Sequence, residues 1–131
     1  MKNIPTHWDS ARHTLGVPSL DGAHREFISQ VDALLTASDE EFPTLFQALV
    51  AHTREHFLEE NNLMRDSRFE GLGVHESEHR RVLGELQQLN RGLKLGRVSL
   101  VRGYVMDTLA EWFHTHLTRM DNELALHLSH R

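Results

Sequence analysis

Residues His52 to Met64 read HTREHFLEENNLM, and the interpretation of the whole chain starts from this stretch. Within it, His56 and Glu60 lie four residues apart. In a helix that spacing places both side chains on one face, one turn apart. An imidazole and a carboxylate arranged in this way can bind one metal ion, but they are equally typical of a solvated surface pair. The rest of the chain must decide between these two interpretations.

Length and composition predict one soluble domain. The chain has 131 residues, of which 39% are hydrophobic and 25% charged, and this suits a single core. A net charge of -5 argues against a general nucleic-acid partner. No cysteine is present, which excludes disulfides and thiolate ligands and fits a reducing compartment. No apolar run resembles a signal peptide or a membrane span. We therefore expect a cytoplasmic protein, without a membrane partner, that is a monomer or a weak homo-oligomer.

Apolar residues recur at helical spacing in four segments of the chain. Ser38 and Glu41 form a capping-box pattern ahead of the second segment. We predict helices over residues 19–37, 38–64, 74–93 and 99–128. The loops between them are short and no strand pattern is present. The predicted fold is therefore all-α, an antiparallel up-down-up-down four-helix bundle.

The first 18 residues carry two prolines and no sustained period. We predict that residues 1–18 form an extended N-terminal arm that packs Trp8 and Val17 over one end of the core. Residues 19–128 then form the bundle, and residues 1–131 form a single domain.

Histidine is the compositional outlier, with eleven in the chain. Each predicted helix offers polar groups to the interior: His24 from the first, His56 and Glu60 from the second, His75 and His79 from the third, and His114, His116 and Asp121 from the fourth. Buried carboxylates must be paired or bound to metal. A pair four residues apart is weak on its own, but two such pairs flanked by inward groups on both outer helices strongly indicate a metal site.

The types of ligand restrict the metal. Imidazole and carboxylate without thiolate suit iron, manganese or zinc. Even five of these six imidazoles, together with the two carboxylates, exceed the four ligands of one tetrahedral zinc ion. This surplus favours two metal ions that share bridging carboxylates.

The chain resembles the hemerythrin family, and within it the short single-domain bacterial members. The resemblance is carried by DGAH at residues 21–24, HFLEE at 56–60, HESEH at 75–79 and WFHTH at 112–116, followed by Asp121. It implies a di-iron centre with an oxo or hydroxo bridge. By this resemblance the metal ligands are His24, His56, Glu60, His75, His79, His116 and Asp121.

The resemblance also implies how the ligands divide. His75, His79 and His116 would hold one iron, His24 and His56 would hold the other, and Glu60 and Asp121 would bridge the two. The second iron would keep one vacant coordination site, where the family binds dioxygen reversibly. The implied function is an oxygen carrier, store or sensor rather than an enzyme, with nitric oxide or peroxide as other possible ligands.

Two residues of the last helix do not follow simply from this pattern. His116 and Asp121 are five residues apart, about 140° on the face of an ideal helix, and a local π-type widening would bring them together. His114 stands where the family usually carries an apolar residue facing the oxygen pocket. Its imidazole either faces that pocket and delivers protons or turns aside towards Asp121 or solvent.

Several residues are expected to lie outside the ligand set. His52, one turn before His56, is interpreted as a surface or supporting group, and His127 and His130 as part of a solvated tail. Phe57 and Trp112 are interpreted as core or pocket wall.

An enzyme is the alternative function. Residues 76–79 and 111–114 both contain the pattern ExxH, which ferritin-like di-iron oxidases use together with one glutamate from each other helix. Glu26 and Glu60 would supply those glutamates in a di-iron oxidase or peroxidase. This assignment leaves four of the histidines without a role. A metal-free, partner-binding bundle would leave the inward carboxylates unexplained.

Overall fold

A computed structural model describes residues 13–129, and four long helices account for most of them. Helix α1 is Pro18–Thr36, α2 is Phe42–Asp66 and α3 is Leu72–Leu93. Helix α4 comprises five consecutive segments, namely Val98–Tyr104, Val105–Leu109, Ala110–His116, Leu117–Asp121 and Asn122–Ser129. No strand occurs among residues 13–129, so the all-α prediction is confirmed.

The helices pack in a closed ring. Each helix contacts the next along the chain, and α4 also contacts α1. Because the connections between these long helices are short, neighbours run antiparallel, as expected for an up-down-up-down bundle. Within residues 13–129, no helix has the length and apolar character needed to cross a membrane.

The start of α2 differs in detail from the predicted capping box. The Ser38 hydroxyl accepts a hydrogen bond from the Glu41 backbone N–H at 3.2 Å, as the pattern requires. The Glu41 carboxylate, however, accepts from the Ser38 hydroxyl at 2.9 Å rather than from its backbone. Residues 38–41 therefore form a turn, and the regular helix begins at Phe42.

Two apolar layers lie on either side of a polar layer. Along α1 the buried residues run Leu20, His24 and Phe27, and along α4 they run Leu117, Asp121 and Leu124. Leu20 and Leu124 belong to a small apolar cluster with Met64, whereas Phe27 and Leu117 belong to the main core. The packing of both layers fixes the helices around the polar groups between them.

Helix α4 contains two segments of π-helix, which lie at Val105–Leu109 and Leu117–Asp121. The second follows His116 directly and ends at Asp121. The predicted widening between these two residues is therefore confirmed, and it turns both side chains to one face. The first π segment was not predicted.

The segment before α1 is held by a buried carboxylate. Asp21 accepts hydrogen bonds from the backbone N–H groups of Leu15 and Gly16, at 2.8 and 3.1 Å. Gly16 has a φ of 84°, a conformation that favours glycine. Val17 packs against the small apolar cluster, as predicted, and Pro18 opens α1 rather than ending the arm. Trp8 lies outside the described residues.

Replacing Asp21 by alanine removes both acceptors and should reduce the free energy of unfolding by about 2 kcal/mol. Urea denaturation followed by circular dichroism measures the change. Glu26→Ala, an exposed position on the same helix, is the matched control and should change the stability by less than about 0.5 kcal/mol. Equal effects of the two substitutions would contradict the anchoring role of Asp21.

Candidate metal centre

The side chains of His56 and Glu60, on α2, point into the bundle. His56 is 7% exposed and Glu60 is 1% exposed, and His56 Nε2 lies 3.1 Å from Glu60 Oε2. His52 behaves differently, because its Nε2 lies 3.3 Å from the carbonyl oxygen of Ala23, to which it can donate. His56 and Glu60 are thus not the solvated surface pair that their spacing also allowed, and the structure places His52 beside the polar cluster rather than in it.

Three imidazoles face one oxygen of each buried carboxylate. His75 and His79 come from α3 and lie 2.8 and 3.3 Å from Glu60 Oε1. His116 comes from α4, and its Nε2 lies 3.1 Å from Asp121 Oδ1. His75 Nε2 is also 3.0 Å from that oxygen. We call His75, His79 and His116 the three-histidine half.

Two imidazoles face the other oxygen of each carboxylate. His24 Nε2, from α1, lies 3.0 Å from Asp121 Oδ2. His56 Nε2 approaches Glu60 Oε2, and His24 Nε2 lies 4.0 Å from the same oxygen. We call His24 and His56 the two-histidine half. Both carboxylates therefore direct one oxygen to each half, which is the orientation of a bridging ligand.

The donor atoms fit metal ions better than they fit each other. All seven side chains are at most 7% exposed. Within residues 13–129, several of their inward atoms have no hydrogen-bond partner, among them both oxygens of Glu60, Asp121 Oδ1 and the Nε2 atoms of His24 and His79. Unsatisfied polar atoms are costly at this depth, and metal coordination satisfies them. Two groups of candidate ligands share Glu60: one with His75, His79, His116 and Asp121, and one with His24 and His56.

Mutual electrostatics control the protonation of these groups. Burial raises the pKa of Glu60, and so does the charge of Asp121, but the close approach of the His56, His75 and His79 imidazoles to its oxygens lowers the pKa by more, so the net pKa lies well below its usual range. Asp121 behaves alike: burial raises its pKa, and His116, His24 and His75 lower it by more. Both carboxylates are therefore ionised at neutral pH.

The imidazoles respond in opposite directions. Burial lowers the pKa of His75, but the adjacent carboxylates of Asp121 and Glu60 raise it to about 9. Burial also lowers the pKa of His56, but the adjacent Glu60 carboxylate raises it by more, so the net pKa is raised. For His79, burial lowers the pKa and Glu60 offsets only part of that effect, so the net pKa is lowered. His79 thus presents a neutral ring.

Neighbouring side chains orient the imidazoles of the three-histidine half. The Nδ1–H of His79 donates to Asn61 Oδ1 at 2.8 Å, which leaves its Nε2 lone pair directed inward. Phe57 stacks on His79 with ring centroids 3.9 Å apart, and Trp112 stacks on His116 at 4.7 Å. Phe57 and Trp112 are therefore pocket wall, as predicted. Asn61 was missed, and its only sequence signal is its position directly after Glu60.

Of the two histidines predicted to lie in a solvated tail, the structure describes one, His127. His127 is not a solvated tail residue, because its Nε2 lies 2.9 Å from the carbonyl oxygen of Ser67 and its ring contacts Phe69. That prediction was wrong, since α4 extends to Ser129 and packs His127 on the turn after α2. His130 lies outside the described residues.

His114 is half-buried and its ring makes an edge-to-face contact with His13, at 5.8 Å between centroids. His13 is only 1% exposed and had no assigned role in the sequence. Neither ring belongs to the group of atoms that converges on the carboxylates. The proton-delivery role of His114 stays a prediction.

The ferritin-like alternative does not assemble. Glu26 and Glu111 are exposed, and Glu76 lies at the surface with Arg65 and Arg80. Within the described part of the chain, none of these three carboxylates joins the candidate ligand groups. Within the described part of the chain, only Glu60 and His79 of the residues that the ExxH interpretation required lie in the cluster.

The fold and site together define a metal-binding four-helix bundle. The family model described as "Hemerythrin HHE cation binding domain" matches residues 15–128. The chain belongs to the hemerythrin family.

Individual relatives agree with this assignment. The chain is 35% identical to a bacteriohemerythrin of Ralstonia nicotianae over 124 residues, which cover 95% of this chain and 89% of the relative. It is 26% identical to a myohemerythrin of Sipunculus nudus over 102 residues, 78% of this chain and 77% of the relative. A crystal structure of wild-type hemerythrin superposes with a TM-score of 0.78 at 21% identity, covering 93% of this chain and 96% of the other. A mutant hemerythrin gives 0.79, with coverage of 98% and 99%. These two structures support the fold.

Replacing Asn61 by alanine should weaken metal binding about 10-fold to 100-fold, because His79 loses the acceptor that orients its ring. Competition of the metal-free protein with a chromophoric zinc chelator measures the affinity. Asn62→Ala is the matched control, because Asn62 is the exposed neighbour and contacts only Arg65 among the contacts described. An affinity unchanged by Asn61→Ala would remove Asn61 from the site.

Metal binding should also depend on pH. A metal must displace the proton that His75, with a pKa of about 9, carries at neutral pH. Zinc affinity should therefore rise between pH 7 and 9, by about tenfold per pH unit for each linked proton, and fall as the pH is lowered. Isothermal titration at several pH values, corrected for zinc hydrolysis, measures the slope. His52→Gln should leave the slope unchanged, and a flat profile would contradict the assignment.

Proposed function

We propose that this protein is a non-haem di-iron protein that binds dioxygen reversibly. One observation carries the proposal: Glu60 and Asp121 each divide their two oxygens between a three-histidine half and a two-histidine half. A single ion would not need two carboxylates that face in both directions. The set of nitrogen and oxygen donors suits iron, and membership of the hemerythrin family favours iron over zinc or manganese.

The two halves offer unequal numbers of protein donors. Three imidazoles and two carboxylate oxygens would be available to one ion, and two imidazoles and two carboxylate oxygens would be available to the other. The two-histidine half therefore has room for a small ligand, and dioxygen is the ligand that the family resemblance supports. When bound, the iron pair would supply the electrons that hold dioxygen.

The surrounding residues limit contact with water. Phe113 packs edge-to-face against His24, at 5.7 Å between centroids, and stacks on Phe27 at 4.4 Å. Leu20 and Met64 close the opposite side, at 3% and 0% exposure. A dry pocket favours release of the bound ligand over side reactions that consume it, because few protons and little water reach the site. This is the property that a carrier, store or sensor needs.

The proposal is tested by loading ferrous iron without oxygen and then admitting oxygen. About two iron ions per chain should bind, as expected from two groups of ligands, and a visible absorption band should appear with oxygen and vanish when oxygen is removed. Glu60→Gln should reduce both the iron content and the band, whereas His52→Gln should leave both unchanged.

Irreversible oxidation of the iron with turnover of an added substrate would overturn the carrier function and favour an oxidase or peroxidase. Binding of about one iron ion per chain would overturn the di-iron centre itself.

A further inference from the structure

Trp112 covers the outer side of one imidazole of the three-histidine half. Its ring stacks on His116, with centroids 4.7 Å apart and an angle of 20° between the planes. Within residues 13–129, the Nδ1 atom of His116 has no hydrogen-bond partner, whereas Nδ1 of His79 has Asn61. The orientation of His116 therefore depends on the packing around its ring, and Trp112 supplies the stacked contact.

A cavity beside these two rings gives the indole room to move. Its volume is about 250 Å³, and its lining comes from α4 except for Glu78, on α3. Trp112 and His116 both line it, and Trp112 is only half-buried. Stacking between two rings is a weak interaction by itself. A second contact that fixes the indole therefore has a large effect on where the ring lies.

That second contact is a hydrogen bond between α4 and α3. The indole Nε1–H of Trp112 donates to Glu78 Oε1 at 2.7 Å. Arg81, three residues further along α3, donates to both oxygens of the same carboxylate, at 2.6 and 3.3 Å. Because indole has a single donor, this bond fixes the rotation of the ring as well as its position. The charge of the acceptor makes the bond stronger than one between neutral groups.

The positions of the two partners along the chain connect this bond to the metal centre. Glu78 directly precedes His79 on α3, and Trp112 lies one turn before His116 on α4. A single hydrogen bond therefore joins the helical turns that present two imidazoles of the three-histidine half. It also keeps the indole on His116 and out of the cavity.

We propose that Glu78 is a positioning residue of the metal centre: its hydrogen bond holds Trp112 on His116, which keeps that imidazole aligned with its ion and shielded from the cavity. This inference rests on the proposed function, because it takes His116 as a metal ligand. Without the bond the indole can turn into the cavity, and water or a chelator then reaches the outer side of His116. The three-histidine half would then lose its metal faster.

The role of Glu78 is tested by comparing Glu78→Ala with Glu85→Ala in the zinc-loaded protein. Glu85 is the matched control, because it also accepts a hydrogen bond from Arg81, at 2.6 Å, but has no bond to Trp112 among the contacts described. Glu78→Ala should accelerate zinc release to excess chelator about threefold to tenfold, less than the roughly 10-fold to 100-fold effect of removing a direct partner of a ligand. Glu85→Ala should leave the rate unchanged. Equal rates for the two variants would overturn the proposal.

Two further variants separate positioning from a general loss of stability. Glu78→Gln keeps a carbonyl acceptor in the same place, so it should restore most of the slow zinc release. Trp112→Phe keeps a ring over His116 but removes the donor, so adding Glu78→Ala to it should change the rate little further. Effects that simply multiply in the double variant would show that Glu78 acts without Trp112, which contradicts the proposal.

A measurement on the metal-free protein detects the hydrogen bond itself. In protein with isotope-labelled tryptophan, Trp112→Phe identifies the indole N–H signal of Trp112 and distinguishes it from that of Trp8. Glu78→Ala should accelerate exchange of this N–H with solvent by at least about tenfold, because a bond to a charged acceptor is lost. Glu85→Ala should leave the exchange rate unchanged.

These results are independent of the outcome for oxygen. If iron binds but no reversible oxygen band appears, the proposed function fails, while the zinc and exchange results for Glu78 still stand. If the band behaves as proposed but Glu78→Ala alters neither zinc release nor indole exchange, the positioning role alone fails.

Discussion

Two ionised carboxylates in the middle of an apolar bundle are the constraint on which the rest of this structure depends. Glu60 and Asp121 are each 1% exposed, and burial alone would favour their neutral forms. Removing a charge from water costs several kcal/mol unless other groups compensate for it. Five imidazoles supply that compensation, and they also explain why the pKa values of both carboxyl groups fall rather than rise. All four helices contribute side chains to this polar layer.

The same constraint explains the irregular backbone of α4. His116 and Asp121 must both face the interior, but they are separated by five residues rather than four. The π segment Leu117–Asp121 absorbs the extra residue and leaves Leu124 free to return to the apolar layer below. The extra residue costs some helical regularity, and the pairing of Asp121 with three imidazoles offsets this cost. A distortion of this kind identifies a position where side-chain geometry outweighs local preference.

Sequence patterns predicted much of this arrangement because helical spacing is a local property. The separation of His56 from Glu60 placed both side chains on one face of a helix. The five-residue separation in α4 suggested a π segment once the family resemblance had named His116 and Asp121 as ligands. What the sequence did not reveal depends on contacts between helices. Asn61 orients His79 across the α2–α3 interface, His13 is buried against His114, and His127 packs on Ser67. Such partners lie up to 101 residues apart in the chain, and no periodic pattern within one helix indicates them.

The division into unequal halves follows from how each helix contributes its groups. Helix α3 provides two imidazoles four residues apart, and both face Glu60 Oε1. Helix α2 carries one imidazole, His56, and one carboxylate, Glu60, at the same spacing. It therefore contributes one nitrogen to the two-histidine half and one carboxylate oxygen to each half. Helix α1 then adds His24 to the two-histidine half, and α4 adds His116 to the three-histidine half. The two halves therefore differ by one imidazole, because α2 carries Glu60 at the position where α3 carries its second histidine, His79. The two-histidine half draws its imidazoles from α1 and α2, whereas the three-histidine half draws its imidazoles from α3 and α4.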